Sequence, residues 1–299
     1  MRFLWILLSI MSVTSYSQSE QTIVIDGHRG CRGLLPENTM PGFYRALELG
    51  ATALEIDLVC TADGRMLVSH DPYILSELCT YPDGSLIETE KENELNIYKM
   101  TLAEAQSYPC GTQPYPRFPE QQQQKSFKPS FQEFVEGVMG HCKSNGISMP
   151  LMNIEIKSQP DWDGIYQPEP EAYMDLFLKE FNSFPIREYA LIQSFDPRVL
   201  EVLHKNDASL KLMYLVGGKN KDVKQNLSVL SFKPYSYNPH YSLVDAQVVE
   251  YCKTQGINLM VWTVNDEAEM KRLLSLGVNH LITDYPDKAM EQVKAFLKN

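Results

Sequence analysis

The sequence predicts a (β/α)8 barrel, and three observations lead there. First, a helix that ends at glycine is followed within a few residues by an apolar strand. This happens at Gly50 before Ala53-Leu54-Glu55, at Gly146 before Leu151 to Ile154, at Gly256 before Leu259-Met260-Val261, and at Gly277 before His280-Leu281-Ile282. Repeated helix-to-strand units imply parallel strands. Second, eight candidate strands can be placed. They centre on residues 23–25, 54–57, 152–156, 190–193, 212–216, 235–238, 259–263 and 281–283. Eight strands with helical connections fit a closed barrel. Third, the chain has 299 residues, enough for one large domain. A doubly wound open sheet is the structural alternative.

In chain order, Arg2 and the short apolar run from Phe3 to Val13 read as a secretory signal. Ser15-Tyr16-Ser17 places small residues three and one before a cut at Gln18, so the mature domain is expected over 18–299. That apolar run is too short to span a bilayer comfortably, and no later stretch is long and apolar enough. Ile23-Val24-Ile25 is a buried strand bounded by Gly27. Asn38 or Thr39 can cap a helix carrying Phe43, Ala46, Leu47 and Leu49, which Gly50 ends. Met66-Leu67-Val68 reads as a return strand that delivers His70. Residues 72–130 interrupt the pattern with prolines that include Pro109, Pro114, Pro116, Pro119 and Pro129, a Gln121–Gln124 tract and one short helix near Leu102 to Gln106. This is an insertion at the barrel rim, placed to shape an entrance, with the glutamines expected in a solvated loop. The sixth strand is the weakest, being short, aromatic and beside Pro234 and Pro239.

Chemistry concentrates between His28 and Asp71. His28 and Arg29 end the first strand. Residues two apart on a strand share a face, so Glu55 and Asp57 project together between apolar neighbours. Two such carboxylates repel unless a positive group lies between them, and a divalent metal answers that need. Asn153, Glu155 and Lys157 share a face of the third strand, and a charged face on a buried strand needs a partner. Glu155 either joins Glu55 and Asp57 around one cation or pairs only with Lys157 or Arg29. All three carboxylates present oxygen, the ligand type of Ca²⁺ and Mg²⁺.

His28-Arg29-Gly30, Pro36-Glu37-Asn38-Thr39, Glu55-Ile56-Asp57, Thr61-Ala62-Asp63-Gly64 and His70-Asp71, in this order, resemble the glycerophosphodiester phosphodiesterases. The likeness runs from about Ile23 to Pro286, and it implies the barrel independently. It implies a general acid and a general base at His28 and His70. It favours one divalent metal, Ca²⁺ or Mg²⁺, on Glu55, Asp57 and Glu155. Arg29 and Lys157 would then hold the phosphoryl oxygens, with Arg29 able to do so bidentately. Glu37 and Asn38 would orient Arg29 or a histidine. Phe195 and Trp262 are read either as the apolar wall for glycerol carbons or as core aromatics. Asp284 is expected to cap the last helix. His141, His204, His240 and His280 are read as structural or surface residues. Cys31 stands where alanine is common in the family, which would make the site sensitive to oxidation.

The implied activity is metal-dependent hydrolysis of a small glycerophosphodiester to glycerol 3-phosphate and an alcohol. The neighbouring readings are a phospholipase acting on intact lipid and a non-catalytic phosphodiester-binding protein. A glycosidase using paired carboxylates would leave His28, His70 and Lys157 without roles. A net charge of −11 argues against nucleic acid or an anionic membrane as partner. Six cysteines in an exported chain allow disulfides. Cys79 and Cys110 flank the insertion and are the pair expected to join, while Cys142 and Cys252 read as buried thiols.

Overall fold

A computed structural model describes residues 22–298; the expected signal segment, 1–17, lies outside them. Nine strands form: β1 (Val24–Gly27), β2 (Ala53–Cys60), β3 (Met66–Val68), β4 (Leu151–Ile156), β5 (Ala190–Ser194), β6 (Leu212–Val216), β7 (Ser236–Pro239), β8 (Asn258–Leu259) and β9 (His280–Thr283). Eight of them run parallel in the order β8-β7-β6-β5-β4-β2-β1-β9. A bridge between Val261 and Leu281 closes the ring into a nearly complete (β/α)8 barrel. β3 is the expected return strand and pairs antiparallel with β2.

The helices are α1 (Met40–Glu48), α2 (Leu102–Gln106), α3 (Phe131–Asn145), α4 (Pro170–Phe181), α5 (Pro197–Asn206), α6 (Val223–Leu227), α7 (Ala246–Gln255), α8 (Glu267–Ser275) and α9 (Pro286–Phe296). Thr39, rather than Asn38, caps α1 by accepting from the Gly42 amide. Gly146 and Gly256 cap α3 and α7 in the left-handed conformation. Outward-facing strand residues such as Leu54, Ile56, Leu58, Ile154 and Ile156 are fully buried under the helices. Inside the barrel, Leu191, Met213, Met260 and Ile282 form a small apolar plug. Asp26, Asn153 and His280 form a buried polar group beside this plug.

Two elements differ from expectation. The strand over 259–263 is a regular ladder only at Asn258 and Leu259. The Pro239 carbonyl accepts from the Trp262 amide at 3.4 Å, but proline has no N–H to return a bond. The chain beyond Leu259 therefore makes single bridges with both neighbours, His240 to Trp262 and Val261 to Leu281. The insertion is loop-rich, as expected, yet it has its own core of Ile74, Cys79, Ile87, Ile97, Ala105 and Cys110 against Val59 and Leu67. The expected Cys79–Cys110 disulfide crosses this core, closing a separation of 31 residues. The glutamine tract is only partly a solvated loop. Gln122 to Gln124 are exposed, but the Gln121 side chain donates to the Arg32 carbonyl at 2.6 Å and ties the insertion to the barrel.

Candidate active site

Strand register builds the acidic cluster. β2 and β4 pair with Asp57 opposite Glu155 and Glu55 opposite Asn153. Glu55, Asp57 and Glu155 are all buried, and each offers an oxygen within 4.8 Å of the others. Burial, with repulsion from Asp57 and Glu155, pushes the Glu55 carboxyl well above its ordinary range. Burial also raises Glu155, against the pull of Lys157. Burial would raise Asp57 too, but Arg29 and Lys157 hold it well below the usual range. Asp57 Oδ1 is buried with no hydrogen-bond partner. Three convergent carboxylates, one with an orphaned oxygen, are a donor set that fits a hard divalent cation.

The reading of Glu155 as paired only with Lys157 or Arg29 gives half of what is seen. Lys157 Nζ donates to Glu155 Oε1 at 2.7 Å and stands 3.6 Å from Asp57 Oδ1. Arg29 turns away from Glu155. Its Nη1 donates to Glu37 at 2.8 Å and its Nε lies 3.3 Å from Asp57 Oδ2. Neither Nε nor Nη2 forms a hydrogen bond, so the bidentate grip on phosphate expected of Arg29 would compete along that edge with the 3.3 Å approach to Asp57. Arg29 also donates its backbone N–H to Glu55 Oε2 at 2.8 Å, from a left-handed φ of 52°. A non-glycine residue held there is a local strain of the kind found at functional sites. The turn is tight enough that a Cβ on Gly27 would lie 2.2 Å from the Gly30 carbonyl oxygen. Glu37 thus orients Arg29, and Asn38 orients Asp57 through a 2.8 Å hydrogen bond from Nδ2.

His28 follows β1, and its backbone N–H donates to the Thr283 carbonyl on β9. This pairing brings Asp284 beside it. His28 Nδ1 lies 2.7 Å from Asp284 Oδ1, and His28 Nε2 lies 4.0 Å from Glu55 Oε2. Asp284 also accepts from Arg32 Nε at 3.0 Å and from Asn265 Nδ2 at 2.7 Å. Asp284 therefore does not cap α9, whose N-cap is Tyr285 with no side-chain bond. Its side chain turns inward because three donors converge on it there. Burial pulls the His28 imidazole down to about 4, although Asp284 opposes the shift. His70 stands across the cleft, more exposed, with Nδ1 3.0 Å from Asp71 Oδ2.

His28, Arg29, Glu55, His70, Glu155, Lys157, Phe195 and Trp262 all line one cleft of about 200 Å³, large enough for a small ligand rather than a trapped water. Phe195 and Trp262 meet edge to face at 5.3 Å between ring centres, and Phe195 is 40% exposed, so it is a wall residue and not core. None of the other four histidines lines the cleft. His280 is buried against Asp26 at 3.1 Å, and His141 and His204 stack on Tyr44 and Phe232. Cys31 does not behave as a reactive thiol. It is fully buried, its Sγ donates to the Gly42 carbonyl, and burial pushes it up to about 12. Sequence reasoning missed Arg32, which bridges Asp284 and Glu37. It also missed Arg117, an insertion residue that lines the cleft.

The match to the glycerophosphoryl diester phosphodiesterase family covers residues 28–288. A glycerophosphodiester phosphodiesterase from Caldanaerobacter subterraneus subsp. tengcongensis is 30% identical over 276 residues, which are 92% of this chain and 98% of that one. Among solved structures, one from Silicibacter pomeroyi DSS-3, provisionally assigned as a glycerophosphoryl diester phosphodiesterase, superposes with a TM-score of 0.82. It is 23% identical and covers 93% of this chain and 95% of its own. An Oleispira antarctica phosphodiesterase solved with its product sn-glycerol-3-phosphate gives a TM-score of 0.69 at 22% identity, over 91% of this chain and 96% of that chain. The fold, the matched span and the first of these relatives together place this chain in the glycerophosphoryl diester phosphodiesterase family.

Proposed function

We propose that the protein hydrolyses glycerophosphodiesters to glycerol 3-phosphate and an alcohol, with His28 and His70 exchanging protons and Glu55, Asp57 and Glu155 as the residues that would hold a divalent metal. The observation that carries this reading is one cleft holding three convergent carboxylates between two histidines, with Arg29 and Lys157 beside them. A divalent cation, Ca²⁺ or Mg²⁺ by ligand type, would supply neutralising charge for the phosphoryl group and acidify a nearby hydroxyl.

The residues divide the remaining work. Asp284 accepts from Nδ1 of His28, so the imidazole keeps its proton there and presents the Nε2 lone pair to the site. Burial keeps His28 neutral at neutral pH, the state a general base needs. His28 takes the proton of the glycerol hydroxyl adjacent to the phosphorylated carbon. That oxygen attacks phosphorus as His70 protonates the departing alcohol. Lys157 and Arg29 stabilise charge on the phosphoryl oxygens. Water then opens the cyclic phosphate with the histidine roles reversed. Phe195 and Trp262 bound the glycerol carbons.

Export is part of the proposal, supported by the N-terminal sequence and by a disulfide that suits an oxidising compartment. Sequencing the exported protein should give a start near Gln18. A deoxy substrate lacking the adjacent hydroxyl tests the chemistry. It should bind as a competitive inhibitor and turn over poorly, whereas normal hydrolysis would mean direct attack by water. Intact phospholipid offered in the same assay should stay uncleaved, since the insertion that forms the rim is polar and rich in proline.

A further inference from the structure

Four cationic side chains line the cleft: Arg29, Arg32, Arg117 and Lys157. Three are neutralised by carboxylates. Arg29 pairs with Glu37 at 2.8 Å, Arg32 with Asp284 at 3.0 Å and Lys157 with Glu155 at 2.7 Å. Arg117 forms no ion pair with any carboxylate among the described residues. It is exposed at the rim, on a loop that is packed down beside it. Its guanidinium carbon lies 5.6 Å from the centre of the Phe118 ring. Phe118 is buried, packed on Arg32 at 4.8 Å and edge-on to Tyr285 at 6.3 Å. The loop bearing Arg117 is therefore seated on the Arg32–Asp284–His28 chain. A guanidinium that lines the cleft from a seated loop and has no counter-charge is available to an anion from outside.

Its position says which part of a ligand it meets. Phe195, Leu215 and Trp262 form the wall on the β5 to β8 side of the barrel, while Arg32, Arg117 and His70 stand on the side of β1, β2 and the insertion. With glycerol against the aromatic wall and phosphorus at the acidic cluster, the departing alcohol points toward Arg117. We infer that Arg117 is a specificity-determining residue that selects glycerophosphodiesters whose alcohol carries an anionic substituent, such as a carboxylate, over neutral or cationic alcohols. This inference rests on the hydrolysis proposed above.

The test compares three glycerophosphodiesters, those of glycolic acid, ethylene glycol and choline, with the metal-loaded wild type, Arg117→Gln and Arg117→Lys. Arg117→Gln should lower kcat/KM for the glycolate ester by about tenfold to a hundredfold, the range of one lost charge-assisted hydrogen bond. The loss should fall on KM. The other two esters should change by less than about threefold, within the scatter of a surface contact. Arg117→Lys should recover part of the glycolate preference. Equal losses on all three esters would mean that Arg117 holds the shared phosphoryl group, and no loss on glycolate would mean that it faces solvent. Either result overturns the inference while leaving hydrolysis intact. A wild type that cleaves none of the three overturns the proposed hydrolysis instead.

Discussion

The floor of the cleft and its rim are built in opposite ways. The polar groups of the floor stand on or just beyond strands, the carboxylates buried, and most are held by another side chain: His28 by Asp284, Asp57 by Asn38, Glu155 by Lys157. The rim is made by an insertion whose order comes from a disulfide, a few apolar side chains and backbone bridges. Most of its charged groups are exposed, Lys128 excepted, and Arg117 is left without a carboxylate. A floor of this kind can hold reacting atoms to fractions of an ångström, whereas the rim can change its side chains without disturbing the barrel. The difference assigns bond making and breaking to the floor and choice of alcohol to the rim.

The largest effects should come from the floor. Glu155→Gln keeps the shape but removes a ligand charge. It should reduce turnover at limiting metal by more than the roughly ten- to hundredfold typical of residues behind the ligands, read as a shifted metal titration of activity. His28→Ala and His70→Ala should each cost on the order of a hundredfold or more in kcat. Full turnover in either variant would return that histidine to a structural role. Asp284→Asn should cost about tenfold to a hundredfold, because the imidazole loses the acceptor that fixes its tautomer. The lost carboxylate had favoured the protonated imidazole, so the acid limb of the pH–rate profile should move to lower pH in this variant.

Metal binding should carry a proton signature from the same region. Burial and repulsion from Asp57 and Glu155 raise Glu55 well above its ordinary range, so a cation bound among the three should favour its ionised form and displace a proton. Cation affinity should fall as pH drops through the range between the raised value and the ordinary one. Calorimetric titrations in two buffers of different ionisation enthalpy should show proton release. Identical heats in both buffers would place the proton elsewhere.

The rim should give the smallest effect on chemistry. Replacing Cys79 and Cys110 by serine should cost roughly 3–4 kcal/mol of stability by the loop-closure argument. It should leave metal affinity almost unchanged. A variant that lost metal binding would show that the insertion holds the floor in shape, and the division between the two regions would fail.

The floor was largely legible in the sequence because strand periodicity displays it. Glu55 with Asp57, and Glu155 with Lys157, alternate with isoleucine and leucine, and that pattern alone turns them inward. Asp284 was visible as a strand-end residue, but its task was not. It meets His28 across 256 residues, through the closure of β9 on β1, and no local pattern records that meeting. Arg117 was hidden for a different reason. A proline-rich loop has no period, so nothing in Pro114 to Phe118 says which way a side chain points. The short β8 failed as a long strand because of Pro239 on its neighbour, a cross-strand effect that composition over 259–263 could not show.

The most direct test of the whole account is a ³¹P NMR time course with glycerophosphocholine and chelated mature protein, before and after Ca²⁺ or Mg²⁺ is restored. The account predicts no reaction in chelator, and glycerol 3-phosphate as the phosphorus product once metal is returned. Full turnover in chelator, or phosphocholine in place of glycerol 3-phosphate, would contradict it.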